Sequence, residues 1–296
     1  AGAVREARWH HLAATYDGTV VRLFVDGQIV AAEAHSITFG DAGYGVMLGG
    51  QPTNWLYGAL FDARVYNRAL DSLEIAEIYG LVGWWKLDET SGPTAYDSSG
   101  FDRHATWVGT PGWSTSGQVD GAAELSGSQR LVVPNFQAKS NDVSMTGWAY
   151  LVTPDSGGAE LLSLGDCLAI RLTPTTGSTF YYNGSTWQTA AGGAGTGGGG
   201  WRHYAAVLSQ QENSLTLYVD GVAVNSIVAS SPVVWTGLGT SFVMGAHGNG
   251  GTTWDFTGQI DDVRFYNRAI ASDEVLAIYE SGFKQGLRII RWLEVR

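Results

Sequence analysis

The sequence predicts an all-β chain, a sandwich of two antiparallel sheets present as one complete unit plus one partial unit. Three observations carry this. The 296 residues include 41 Gly, 13 Tyr and 12 Trp and are only 15% charged, a mix that suits short pleated strands joined by tight turns. Strand-like runs recur along the chain, separated by turn dipeptides such as Asp17-Gly18 and Asp26-Gly27. Finally, one passage is written twice: GALFDARVYNRALDSLEIAEIY at 58–79 and GQIDDVRFYNRAIASDEVLAIY at 258–279. Internal repetition at this distance marks a duplicated structural unit.

Taken in order, His11–Tyr16, Val20–Val25, Gln28–Ala31 and Gly45–Leu48 read as strands. Gly58–Tyr66 reads as a longer one, with Phe61, Ala63 and Val65 on one face by alternation. Ser72 and Ser272 precede Glu74 and Glu274, so each is expected to cap a short helix ending at Tyr79 or Tyr279. Gly83–Leu87 opens the complete unit, and Thr90–His104 follows as a polar loop. Further strands are expected at Ala122–Leu125, Leu131–Val133, Val143–Leu151, Glu160–Leu164, Cys167–Thr173, Thr179–Tyr182 and Thr186–Thr189. Two stacked antiparallel sheets with one terminal helix accommodate this pattern.

The repeat extends upstream. WHHLAA at 9–14 answers WRHYAA at 201–206, and LFVDG at 23–27 answers LYVDG at 217–221. The first copy has only eight residues before Trp9, whereas the second has about 120 between Leu81 and Trp201. The expected organisation is therefore the C-terminal half of a unit at 1–80, a complete unit at 81–282, and a tail at 283–296 that reads faintly as a strand of a further repeat. Small loop insertions account for the drifting offset between copies.

Composition excludes several classes. The formal charge of −11 argues against nucleic acid or an anionic membrane surface as partner. A single cysteine, Cys167, rules out an internal disulfide framework and any CxxC metal motif; it reads as a small buried hydrophobe. No run approaches the roughly 18 apolar residues that cross a bilayer, so no membrane insertion is expected. The N-terminal AGAVREAR lacks the apolar core of a signal peptide.

The set WHHLAATYDG, LFVDG, MLGG and GQIDDVRFYNRA, with GLVGWWKLDETSG, AYDSSG, VDGAAELSG and VSMTGWAYL in the complete unit, resembles the LamG-like jelly-roll family (laminin G type 3, of the concanavalin A-like lectin/glucanase kind). The resemblance covers nearly all of residues 9–279. It implies a jelly-roll sandwich, an extracellular or cell-surface setting, and a role in carbohydrate binding, protein adhesion or architectural spacing. It is specific for fold and unspecific for ligand.

The candidate chemistry follows. Glycoside hydrolysis on such sandwiches needs two carboxylates a few ångströms apart on one face. Asp273-Glu274 fall in the helix, Asp261 and Asp262 should point to opposite faces of a strand, and Glu160 and Asp166 lack close partners in sequence, so the chain reads as no enzyme. GAGTGG at 193–198 matches GxGxxG but does not open a helix, and reads as a flexible loop. Related sandwiches imply a structural Ca2+ held by an Asp at the start of the last long strand. Asp261 sits there, with Asp88, Asp97 and Asp102 in the opening loop region as further oxygen donors. The alternative for AspSerSerGly at 97–100 is a plain Asx-turn. Phe61 stands where Asp261 does in the second copy, so the two copies are unequal. Sugar binding calls for exposed rings beside amides and carboxylates. Tyr181, Tyr182 and Trp187 flank one hairpin, and Trp254 lies in a loop with Asn249 and Asp255. One of Tyr181 and Tyr182 must face outward; the alternative is that these rings fill the core.

The expectation is a non-catalytic extracellular binding or adhesion module, carbohydrate-binding, within a larger surface or secreted protein. Its partner is a glycan or an extracellular protein. The alternatives are a structural or assembly subunit that self-associates through the incomplete N-terminal half and the C-terminal tail, and a glycan hydrolase.

Overall fold

The computed structural model describes residues 10–36, 47–51, 54–60, 63–136, 140–154, 157–193, 199–235, 240–251 and 253–284. It divides into two compact units, Ala1–Tyr79 and Gly80–Arg296.

In the first unit, β1 (Leu12–Tyr16), β2 (Val20–Val25) and β3 (Gln28–Ala34) form a three-stranded antiparallel meander. β4 (Gly50–Gln51) and β5 (Asn54–Trp55) pair separately, and α1 (Ser72–Ile78) closes the unit. The hairpin between β2 and β3 turns at Asp26 and Gly27, at φ of 50° and 77°, the left-handed conformations that Asp-Gly supplies at least cost. The helix is capped by Asp71, not by Ser72. The Asp71 carboxylate accepts from the Glu74 amide and the Glu74 carboxylate accepts from the Asp71 amide, a reciprocal capping box. Phe24, Leu70 and Ile75 form the unit's buried cluster. Residues 63–66 form no strand, against expectation; Phe61 and residues 45–46 lie outside the described residues.

The second unit is a two-sheet sandwich. Its first strands are β6 (Leu81–Trp85), β7 (Thr94–Ala95), β8 (Ala105–Val108), β9 (Trp113–Val119), β10 (Gly121–Ser126), β11 (Arg130–Val133), β12 (Val143–Pro154) and β13 (Ala159–Leu164). Then come β14 (Leu168–Leu172), β15 (Gly177–Tyr182), β16 (Trp187–Gly192), β17 (Arg202–Ser209), β18 (Ser214–Val219), β19 (Val222–Val228), β20 (Phe242–Met244), β21 (Phe256–Tyr266) and α2 (Ser272–Lys284). The first sheet runs β19-β18-β17-β12-β21-β10-β9, with β6 also paired to β21; the second runs β16-β15-β14-β13-β20-β11-β8-β7. Every pairing is antiparallel.

The core lies between the two sheets and contains Trp85, Met145, Leu162, Ile170, Tyr204, Leu217 and Phe265. Trp85, Phe136, Phe242 and Phe265 pack ring on ring within it. A smaller cluster, with Tyr218, Tyr266, Val275 and Ile278, seats α2 on the outer face of the first sheet. That helix continues past Tyr279 to Lys284, longer than expected, because Tyr279 and Phe283 both pack on Trp148. Residues 285–296, where the tail strand was expected, lie outside the described residues.

Candidate functional site

The first sheet carries an open groove of about 740 Å³ on its outer face, away from α2. Four elements distant in sequence meet there: Glu124 and Ser126 from β10, Tyr150 and Val152 from β12, Thr257 and Gln259 from β21, and Trp201 just before β17. The ladder explains why these residues converge. Glu124 lies opposite Gln259, and Gln259 opposite Tyr150, so alternation puts all three side chains on one face. Tyr150 and Trp201 meet edge to face with ring centroids 5.9 Å apart, a favoured aromatic geometry. Gln259 donates to the Ser114 hydroxyl at 3.3 Å, and the Gln129 carbonyl accepts from the Ser126 amide at 2.8 Å. Gly258 makes the floor: at φ 148° a side chain would sit 2.0 Å from the Tyr150 carbonyl oxygen. Two rings, two amides, hydroxyls and one carboxylate thus border an open trough. None of these residues stood out in the sequence as a binding candidate.

The predicted sugar-binding residues lie on the second sheet. Tyr181 is buried in the core, and burial pushes its hydroxyl pKa up. The alternation is as expected, and Tyr182 is the ring that faces out. Tyr182 and Trp187 are direct cross-strand partners with ring centroids 5.4 Å apart, and Trp187 is 42% exposed. Trp254 and Asn249 belong to a second cluster, where an ionic chain runs beneath them. The Asn249 amide donates to Asp166 at 3.3 Å, Asp166 contacts His247 Nε2 at 2.9 Å, and His247 Nδ1 contacts Glu160 at 2.8 Å. Glu160 accepts from Arg171 at 2.7 Å, and the Arg171 guanidinium lies 3.6 Å from the centre of the Trp254 ring, a cation–π contact. Burial alone would push the His247 imidazole down, but the hydrogen bond and charge of Glu160, with the charge of Asp166, hold its pKa above the ordinary value. The charged partners of Glu160 and Asp166 are basic side chains from β14 and from the loop after β20. Arg171 also lies 4.8 Å from the Phe180 ring. Asp255 is half-buried beside Trp254. Residues 194–198 of the glycine run lie outside the described residues.

The predicted metal ligands do not come together. Asp97 holds its own loop: its carboxylate accepts from the amides of Trp84, Ser99 and Arg103 and from the Ser99 hydroxyl, at 2.8–3.0 Å. This is the Asx-type alternative. Asp102 is exposed, at φ 55° in the turn that follows. Asp88 and Asp262 line a cavity of about 60 Å³ together with Lys86 and Arg264, and Asp261 lies near enough to feel the charges of both aspartates. Asp261 and Asp262 share a face of β21, a correction to the expected alternation. The register slips between Thr146↔Arg264 and Trp148↔Asp261, leaving an extra residue on β21, and Asp262 takes φ 45°.

Trp84 Nε1 donates to Asp262 at 2.6 Å and Arg264 pairs with its other oxygen at 3.0 Å. Asp261 accepts from the Val119 amide at 2.7 Å, and Asp88 from the Gly121 amide at 2.9 Å. Burial, reinforced by the charges of the neighbouring aspartates, raises the Asp261 pKa to about 8. Burial likewise raises Asp262 to about 6, against the hydrogen bond from Trp84. All four aspartate contacts use carboxylate oxygens that a cation would need, and two cationic side chains, Lys86 and Arg264, line the same cavity. This set does not fit the six or more oxygens that Ca2+ takes, and among the described residues no group of three or more His, Cys, Asp or Glu is placed to hold a metal.

A family model described as the concanavalin A-like lectin/glucanases superfamily matches residues 1–76 and 125–276. No curated protein matches the chain. Among solved structures, domain 4 of AbnA, a GH43 extracellular arabinanase from Geobacillus stearothermophilus solved with arabinotriose, aligns over 67% of this chain and 98% of that one, at 23% identity and TM-score 0.53. The binding domain of Paraclostridial Mosquitocidal Protein 1 aligns over 70% of this chain and 53% of that one, at 17% identity and TM-score 0.53. The binding domain of botulinum neurotoxin DC, solved with rat synaptotagmin II, aligns over 69% and 52%, at 10% identity and TM-score 0.50. The chain spans about half the length of these toxin domains. At such identities the likeness is one of fold.

Proposed function

This chain belongs to the concanavalin A-like lectin/glucanases superfamily, and we propose that it is a non-catalytic carbohydrate-binding module of an extracellular protein. The groove on the first sheet carries this reading. Sugar rings stack on aromatic faces while their hydroxyls hydrogen-bond to amides and carboxylates, and the Tyr150–Trp201 wall over Gln259, Gln129 and Glu124 offers both within one trough. Its open form suits a chain segment held from the side more than a small molecule enclosed on all sides. Glu124 is the one carboxylate among its lining residues, and a hydrolytic mechanism calls for a facing pair. The arabinotriose complex of the similar arabinanase domain supports a neutral oligosaccharide as the class to test first.

The experiment is a glycan array followed by calorimetry on the hits, with calcium present and with calcium chelated. Saturable binding to a defined oligosaccharide, unaffected by chelation and reduced in Trp201→Ala, supports the proposal. Turnover of a polysaccharide panel that disappears in Glu124→Gln would replace it with an enzyme.

A further inference from the structure

The groove on the first sheet has two unlike ends. Glu124 lies opposite Gln259 and Gln259 opposite Tyr150, so the three side chains stand in a row across β10, β21 and β12. Neighbouring strands are about 4.8 Å apart, which puts Gln259 midway between a carboxylate and an aromatic wall. Trp201 packs on Tyr150 at 5.9 Å and completes that wall. A second row, two residues along the strands, holds Ser126 opposite Thr257. The acidic end is built on the sheet itself. The Glu124 amide donates to the Gly112 carbonyl at 2.9 Å, while β10 pairs with β21 on its other side.

The polar groups along the groove have defined hydrogen-bonding roles. The Gln129 carboxamide faces the Ser126 amide at 2.8 Å and the Ser126 hydroxyl at 2.9 Å. A backbone N–H can only donate, so the atom facing it is the carbonyl oxygen, and the Gln129 amino group is left to donate elsewhere. Gln259 commits its amino group to Ser114 at 3.3 Å and keeps its carbonyl oxygen as an acceptor. Glu124 is exposed, and its ionised carboxylate can only accept. Lys, Arg and His are all absent from the lining, so among the described residues no cation balances that carboxylate in the groove.

Two acceptors side by side on adjacent strands call for two donors on the ligand, and neighbouring hydroxyls of a sugar ring supply them. A hydroxyl that donates to a carboxylate makes a charge-assisted bond, stronger than one between neutral groups. A ligand carboxylate or sulfate at the same place would lose water and meet a like charge with no cation to offset either cost. We infer that Glu124 sets the specificity of the groove: with Gln259 it accepts from two neighbouring hydroxyls of an uncharged glycan chain, and it turns away chains that carry carboxylate or sulfate groups. This rests on the glycan-binding reading of the groove and adds the rule by which chains are selected.

The test uses linear arabinan, xylan and glucan oligosaccharides, each beside its carboxymethyl derivative and the methyl ester of that derivative. The ester has the bulk of the carboxymethyl group without its charge. Calorimetry on the parent protein at low salt should show the neutral chain and the ester binding within about threefold of each other, and the carboxymethyl chain at least about tenfold more weakly. High salt should narrow that gap, because the groove is open and its charge is screened. Glu124→Gln should weaken binding of the neutral chain and reduce the discrimination to less than about threefold, and Glu124→Lys should make the carboxymethyl chain the preferred one. Both variants should melt with the parent, since the side chain is exposed. The inference is overturned if the parent binds charged and neutral chains equally and Trp201→Ala weakens both, a result that leaves the glycan reading intact. It is overturned equally if Glu124→Gln still rejects the carboxymethyl chain, which would place the exclusion elsewhere. No binding of any of these chains would remove the glycan reading and the inference together.

Discussion

Asp261 and Asp262 are consecutive in sequence, yet both turn their carboxylates to the helix-covered face of the first sheet, because the bulge at Asp262 inserts one residue between Asp261 and Arg264. The result is two buried acids beside Asp88 with only partial compensation; Asp261 is 0% exposed and its Oδ1 has no hydrogen-bond partner among the described residues.

The pH dependence of stability should reveal Asp261. Its pKa rises from 3.8 to about 8 on folding, so between those values the folded chain keeps a proton that the unfolded chain releases. Its contribution is full at low pH and is lost as pH rises toward the folded pKa. Asp261→Asn keeps an acceptor for the Val119 amide and removes the titration. Urea unfolding should therefore show the variant gaining on the parent by up to about 1.4 kcal/mol per pH unit between about pH 5 and pH 8. Parallel curves for the two proteins would refute it.

In the groove, Trp201→Ala and Tyr150→Ala should each weaken oligosaccharide binding at least about tenfold, roughly 1.4 kcal/mol, with little change in melting temperature. Gln259→Ala should cost less, about 0.5–1.5 kcal/mol, as for a single neutral hydrogen bond. Trp187→Ala serves as the comparison. If it alone abolishes binding, the ligand sits on the second sheet.

Glu160→Gln should destabilise the second unit by about 3 kcal/mol, because the buried carboxylate is shared by Arg171 and His247 and its loss strands both. Differential scanning calorimetry reads this directly. A change within error would show that solvent already compensates the cluster.

The duplicated arginine–glutamate pair offers a controlled comparison. Arg68 and Arg268 each contact both oxygens of Glu74 and Glu274, but the Arg68 side chain is 57% exposed and that of Arg268 is 16%. Exposed pairs are screened by water. Arg268→Ala should therefore lower the melting temperature of its unit, while Arg68→Ala should be nearly silent by the same measurement.

Much of the architecture was legible because it rests on local rules. The Asp-Gly turns at Asp26 and Asp220, the alternation that buries Tyr181 and exposes Tyr182, and the capping chemistry around Glu74 all operate within a few residues. Ser72 was misread as the cap because Asp71 satisfies the same role one position earlier. The candidate site was not legible. Glu124, Tyr150, Trp201 and Gln259 meet only through strand order and register, which no short window encodes. The bulge at Asp262 defeated simple alternation for the same reason, since it is set by how β21 meets β12. The ionic chain from Asn249 to Arg171 could have been suspected only from the oddity of a charged residue, Glu160, inside a strand whose other residues are uncharged.

The position of β21 carries a consequence for how the chain reaches its native state. This strand is the last to be synthesised in its unit, yet it lies between β12 and β10 and also pairs with β6. Trp84 and Asp262, joined by a hydrogen bond, are 178 residues apart in sequence. On a ribosome, the opening strand must therefore wait for nearly the whole unit to emerge before its partner exists. Such distant closure makes for slow folding, and the second unit spends that interval with a vacant lane in its first sheet.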